Sequence, residues 1–185
     1  MRLQPTSGAK CATPRWPHIL ADGRHVVIRP LASGDREAER AFISSLSSEA
    51  RHFRFGCAIG EPGDPLLDQL TRMDATREVA FAAVAAGADA GDGRDRIVGI
   101  SRYAADADGR RCECAVVVAD DWQHHGLGVL LMERLIETAR TRGIRQMYSV
   151  DPAANAAMRE LAAHLGFHTR RNPEDATEVI HELDL

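Results

Sequence analysis

The sequence predicts an α/β fold, with a mixed, largely antiparallel central sheet and flanking helices. Three observations carry the prediction. Segments 77–86, 97–105 and 112–119 are strand-like and are joined only by turn-rich stretches, which makes an antiparallel meander. From about residue 126 helix-like and strand-like segments alternate, as in α/β sheets. The chain has 185 residues, 44 % hydrophobic and 27 % charged, which is the size and make-up of one globular domain.

The elements follow in order. Residues 1–18 are polar, carry Pro5, Pro14 and Pro17, and show neither period; they read as a flexible N-terminal tail before a domain spanning 19–185. A turn at Asp22-Gly23 leads into a strand through Val26–Arg29. Residues 33–47 offer Ser33 or Asp35 as a cap, followed by Ala38, Phe42, Ile43 and Leu46 at helical spacing. A shorter helix follows within 61–73, with Asp64 as cap and Pro65 at its first position. After it come the three meander strands, with a Gly/Asp-rich loop at 87–96 and a turn at 106–111. A helix over 126–142 carries the stripe Leu127, Leu130, Leu131, Leu135 and Ile136 and stops at Gly143. A strand at 144–150, a helix ending at Gly166, and strands within 167–171 and 177–185 complete the chain.

Composition excludes several classes. Lys plus Arg is 23 and Asp plus Glu is 27, a net charge of −4, without the clustered cations that phosphate neutralisation needs; no nucleic-acid partner is expected. No apolar run approaches the roughly 20 residues of a membrane span, and no apolar signal core opens the chain. The expectation is a cytoplasmic protein with no membrane partner. Cys11, Cys57, Cys112 and Cys114 lack a second pair at zinc-finger spacing and read as reduced thiols, so no metal is expected there. "DADG" at 106–109 resembles the start of a calcium loop, but position 12 of such a loop falls on Val117; it reads as a turn.

The stretch "VVVADDWQHHGLG" runs from a strand straight into a helix. A helix start exposes free N–H groups and a positive dipole end, and glycines let an anion approach the backbone. Gln123-x-x-Gly126-x-Gly128 therefore reads as a pyrophosphate cradle or as a plain tight turn. It is not a P-loop, since no Gly-Lys-Ser/Thr follows, nor a dinucleotide fingerprint, which needs three spaced glycines. His124 and His125 suggest metal ligands, but adjacent side chains diverge and no histidine follows at i+4. As loop residues they contribute through their amides.

Residues 113–167 resemble the core of the GNAT acetyltransferase superfamily. The resemblance rests on the strand "AVVVADDW", on "QHHGLG", the helix "VLLMERLIETARTRG" and the strand "IRQMYSV". It ends on "NAAMRELAAHLGF", with Asn155 and Leu165-Gly166-Phe167. The order of elements is the GNAT order. "DGRHVVIRPL", "LSSEARHFRF" and "RLIETARTRGI" extend the similarity, over roughly residues 20–185, to the catalytic domains of bacterial protein lysine acetyltransferases.

The resemblance implies a GNAT-like fold, acetyl-CoA as donor and a primary amine as acceptor. The acceptor is a protein lysine or a small amine; a non-catalytic acetyl-CoA-binding domain is the further alternative. It implies that the amides of Gln123, His124, His125, Gly126, Leu127, Gly128 and Val129 hold the pyrophosphate. The backbone of Val116, Val117 and Val118 would pair with the pantetheine amides, as an added strand does; the same valines also suit a buried strand. Asn155 matches an asparagine near the cofactor arm, or is a helix cap. Relatives often carry Gly-Arg at His124-His125, so a permanent cation gives way to His125, charged only at mildly acidic pH.

A lysine ammonium, with a pKa of about 10.4, must lose a proton before it attacks a thioester. Glu113 is the candidate general base. Alternation places it on the face opposite Cys112 and Cys114, and it matches the glutamate that serves as base in the lysine acetyltransferase branch. Burial in an apolar strand would raise its pKa toward a useful range; the other reading is a solvent-facing edge residue. No general acid is evident, since Tyr148 and Ser149 are weak candidates. The sequence is silent on oligomeric state.

Overall fold

The computed structural model describes residues 13–55, 62–87 and 95–185. The expected tail over residues 1–12, most of the 87–96 loop, Cys11 and Cys57 lie outside them. Eight strands form one sheet in the order β1-β2-β3-β4-β5-β6-β8-β7. They are β1 Trp16–Ile19, β2 His25–Pro30, β3 Glu78–Ala85, β4 Arg96–Ala105, β5 Arg111–Val118, β6 Gln146–Pro152, β7 His168–Arg171 and β8 Glu178–Asp184. Among the described residues five helices flank them: α1 Arg36–Ser45, α2 Ser48–Phe55, α3 Asp64–Thr71, α4 Leu127–Thr141 and α5 Ala156–His164. Every strand pair is antiparallel except β5 with β6. The predicted mixed, largely antiparallel sheet is the one observed.

Three local readings are corrected. Residues 16–18 belong to β1 rather than to a tail. Its half-exposed pattern on a sheet edge hides its period, and an edge strand tolerates Pro17. Among the described residues three helices, not two, separate β2 from β3: α2 has no fully buried residue, so it carries no apolar stripe to read. Asp64 is not the cap of α3. Gly63 holds that position, and the Asp64 carboxylate accepts from Arg36 at 2.8 Å and Arg40 at 2.7 Å.

Packing explains the rest. In β3, Ala82, Ala83 and Ala85 are fully buried; alanine is a poor strand former, and a central position covered on both faces overrides that. In α4, Leu127, Leu131 and Leu135 recur every fourth residue and are buried with Met132, Ile136 and Ala139. Each buried leucine contributes about 1.5–3 kcal/mol of apolar burial. Gly143, with φ 79°, ends the helix as expected.

One feature of the sheet positions everything that follows. β5 pairs with β6 only through Arg111, Cys112 and Glu113, opposite Gln146, Met147 and Tyr148. Beyond that point β5 stays on β4 as far as Val118, while β6 stays on β8 as far as Pro152. The two strands part, and among the described residues no strand lies beside the β6-side edge of β5 from Ala115 onward.

Candidate active site

A cavity of about 670 Å³ occupies the gap between the parted strands. Its walls are the free edge of β5, the end of β6, the start of α4, α5 and one side of α2.

The start of α4 is built around two left-handed residues. His124 has φ 62° and Gly126, the residue before the helix, φ 86°. They turn the chain so that Leu127, Gly128 and Val129 begin the helix; the first intrahelical bond is Leu130 N–H to Gly126 O, at 3.2 Å. The preceding amides therefore have no intrahelical acceptor and sit at the positive end of the helix. A Cβ on Gly128 would stand 3.5 Å from Leu161 and 4.0 Å from Val118, inside the groove between α5 and β5. Free amides, a glycine-lined groove and an unpaired strand edge fit a pyrophosphate on an extended amide-bearing arm.

The candidate residues divide. Val116, Val117, Val118, Gln123, His124, Gly126, Gly128, Val129, Asn155 and Glu113 all line the cavity. Leu127 is buried in the core. His125 turns away, its Nδ1 3.3 Å from the Asp22 carboxylate, so its ring does not replace the expected cation. Gln123 spends its side chain locally, its Nε2 donating to the Val118 carbonyl at 3.2 Å. Asn155 is a helix cap, accepting from Met158 N–H at 3.1 Å, while also facing the cavity.

Glu113 is exposed, between buried Cys112 and Cys114. The alternation is as expected; the burial is not, because β6 leaves β5 right after Glu113.

Two charged side chains that the sequence did not single out, Arg54 and Asp151, line the cavity with Glu113, and Arg102 and Glu39 act on Arg54. Arg54 of α2 lines the same cavity, with its guanidinium 5.0 Å from the Phe55 ring. Burial and the nearby Arg102 pull its pKa down to about 10, against the acids Glu39, Glu113 and Asp151, so it stays a cation at neutral pH. Arg102 of β4 donates to buried Glu39 at 2.6 Å; burial pushes the Glu39 carboxyl up, and Arg102 opposes that. Asp151, at the end of β6, accepts from the Ser149 hydroxyl at 2.7 Å. These residues sit in unrelated segments, and only the fold brings them together; for Arg102 and Asp151 the sequence signal was charge inside an apolar strand.

Comparison with known proteins agrees with this geometry. The model of the acetyltransferase (GNAT) family matches residues 49–167, more than half of the chain.

The chain belongs to the GNAT acetyltransferase family.

It is 54 % identical over 170 residues to Acetyltransferase PA5475 of Pseudomonas aeruginosa, covering 92 % of this chain and 89 % of that relative. A shorter similarity, 44 % over 55 residues, joins it to the L-methionine sulfoximine/L-methionine sulfone acetyltransferase of the same species. That match covers 30 % of this chain and 32 % of the relative. Among solved structures, the GNAT domain of S. lividans PAT superposes with a TM-score of 0.81 at 26 % identity, covering 92 % of this chain and 97 % of that one. The family makes the chain an acyltransferase. Among the described residues no helix is long and apolar enough to cross a membrane.

Proposed function

We propose that this GNAT domain moves an acetyl group from acetyl-CoA to a primary amine, a protein lysine side chain, with Glu113 as general base. The observation that carries the reading is the parted β5–β6 edge, with free helix-start amides at one end and Glu113 at the other. The amides of His124 through Val129 hold the pyrophosphate, while that of Gln123 donates to the Asp120 carbonyl at 3.5 Å; the β5 edge at Val116–Val118 pairs with the pantetheine arm, and Asn155 stands beside it. Acetyl-CoA supplies an activated acetyl thioester. Glu113 takes the proton of the acceptor ammonium, directly or through water, and frees the nitrogen lone pair. Glu49, Glu113 and Asp151 on the walls suit a cationic acceptor.

A cytoplasmic location belongs to the same reading, with which the free, buried thiols of Cys112 and Cys114 are compatible. A second reading, a small-molecule amine as acceptor, is favoured by the 55-residue similarity to the L-methionine sulfoximine/L-methionine sulfone acetyltransferase.

Thiol release measured with lysine peptides and with free amino acids or simple amines separates the two. Faster release with peptides supports the lysine reading, and the reverse order the small-amine reading. Donor binding without release for any acceptor overturns both. Glu113→Gln is expected to lower kcat by about 10²-fold or more with donor affinity nearly unchanged; unchanged turnover removes Glu113 from the mechanism.

A further inference from the structure

Two of the carboxylates that line the cleft, Glu113 and Asp151, stand on opposite faces of the sheet. The Ser101 hydroxyl donates to the Leu131 carbonyl of α4 at 3.2 Å, which identifies the α4 face. Ser101 is opposite Val116, so Val116, Cys114 and Cys112 share that face; Cys112 is opposite Met147, and alternation carries the face on to Ser149 and Asp151. Glu113, by the same alternation, faces α1 and α2. The helix that starts at the amide cradle thus lies on the Asp151 face, and α2, with Glu49 and Arg54, on the Glu113 face.

A polar row backs Asp151. Ser149, His181 and Thr169 are in register across β6, β8 and β7. Ser149 is buried and gives its hydroxyl hydrogen to Asp151. His181 is fully buried; its Nδ1 is 2.7 Å from the Thr169 hydroxyl, and its Nε2 has no partner among the described residues. An unpaired buried ring nitrogen costs folding free energy, and packing alone gives no reason to keep it.

We propose that Asp151 is the general acid of the transfer, with Ser149 and His181 as its positioning residues. This rests on the acetyl-transfer reading above. As the acceptor nitrogen bonds to the acetyl carbon, the carbon–sulfur bond breaks, its electron pair leaves on sulfur, and the Asp151 carboxyl gives its proton to the thiolate. The ammonium's first proton goes to Glu113. The second, shed by nitrogen as the amide forms, returns to Asp151 directly or through water, which restores the acid.

The surroundings suit that role. Burial holds the Asp151 carboxyl above the usual aspartate range, and Glu178 of β8 adds to that. The Ser149 hydroxyl, His181 and Arg54 of α2 pull the other way. Burial, with Arg159 of α5, keeps His181 below its ordinary range, against the pull of Asp151. A carboxyl held above the ordinary aspartate range by its surroundings serves better as a proton donor than an ordinary one.

The test uses the full chain and two readouts. Asp151→Asn keeps the shape of the side chain; kcat with acetyl-CoA is expected to fall about 10²-fold, to lose its alkaline limb, and to leave the donor Kd by calorimetry unchanged. In the free protein, carbon NMR of the Asp151 carboxyl is expected to titrate above the ordinary value of about 3.9. Ser149→Ala, which removes a bond favouring the carboxylate, should move that titration and the alkaline limb of kcat upward together. An Asp151→Asn variant with wild-type kcat and alkaline limb, or an ordinary NMR titration, overturns the proposal. A wild-type protein that releases no thiol with any amine overturns the acetyl-transfer reading itself.

Discussion

Asp120 holds Ser47 with both carboxylate oxygens: Oδ2 accepts the Ser47 amide at 2.9 Å and Oδ1 its hydroxyl at 2.6 Å. Ser47 in turn accepts the Ala50 amide at 3.1 Å and so caps α2. The turn before the amide cradle and the first residue of the acceptor-side wall are therefore one hydrogen-bonded unit, although 73 positions separate them in the chain.

Breaking that unit should loosen both halves of the site. Asp120→Ala is expected to cost about 1 kcal/mol in urea unfolding, to weaken donor binding in calorimetry and to raise the acceptor KM. Ser47→Ala removes the hydroxyl but keeps the amide contact, and should show a smaller acceptor effect with donor binding nearly intact. Equal donor losses in the two variants would show that the link does not work this way.

The two cradle glycines should respond differently. Gly126 has φ 86° and open space around its Cβ position, so Gly126→Ala pays in backbone strain, roughly 1–2 kcal/mol. Gly128 lies in the first turn of α4, where a Cβ meets Leu161 at an ordinary 3.5 Å. Gly128→Ala should fold at least as well, since alanine is the better helix former. Any loss of donor affinity in that variant then reports on the groove itself. Thermal melts beside donor titrations separate the two effects.

Acid sensitivity should be visible at Asp35. Arg29 donates to its two oxygens at 2.6 and 2.7 Å, and the Ala32 amide donates at 2.8 Å. The Arg29 hydrogen bonds hold the Asp35 carboxyl below its usual value, against the effect of burial. A lowered folded-state pKa contributes stability that is complete above the unfolded value of about 3.9 and is lost as pH falls through the folded one. The stability gap between wild type and Asp35→Asn should be constant from neutral pH to about pH 5 and shrink below about pH 4. A gap that does not change down to pH 2 would contradict the assignment.

The strand thiols should be inert. Burial pushes Cys112 up to about 12 and Cys114 well above its ordinary range, so neither forms thiolate at neutral pH. Brief iodoacetamide treatment followed by mass spectrometry is expected to leave both unmodified in the native protein and to label both in denaturant. Native labelling at either position would show that β5 opens.

Much of the fold was legible in the sequence because the signals were local. The period of two through Cys112, Glu113 and Cys114 gave the correct faces, and the four-residue spacing of Leu127, Leu131 and Leu135 gave the buried side of α4. The glycine turn was recognisable from composition alone. What failed had no local signal. β1 is half-exposed, α2 is only partly buried and takes its cap from Ser47, and Asp64 is used by Arg36 and Arg40 rather than by its own helix.

By itself the sequence determined the order of elements from β3 to β8, the opposite facing of Glu113 to Cys112 and Cys114, the turn before α4 and the family resemblance. All of these depend on neighbours within a few positions. Tertiary structure alone decided where β5 and β6 part, and with it the exposure of Glu113. It also turned His125 toward Asp22 and placed Arg54 and Asp151 at the same cleft as Glu113. Those outcomes depend on pairings between distant segments, each set by competition for strand edges, charges and buried volume across the whole chain.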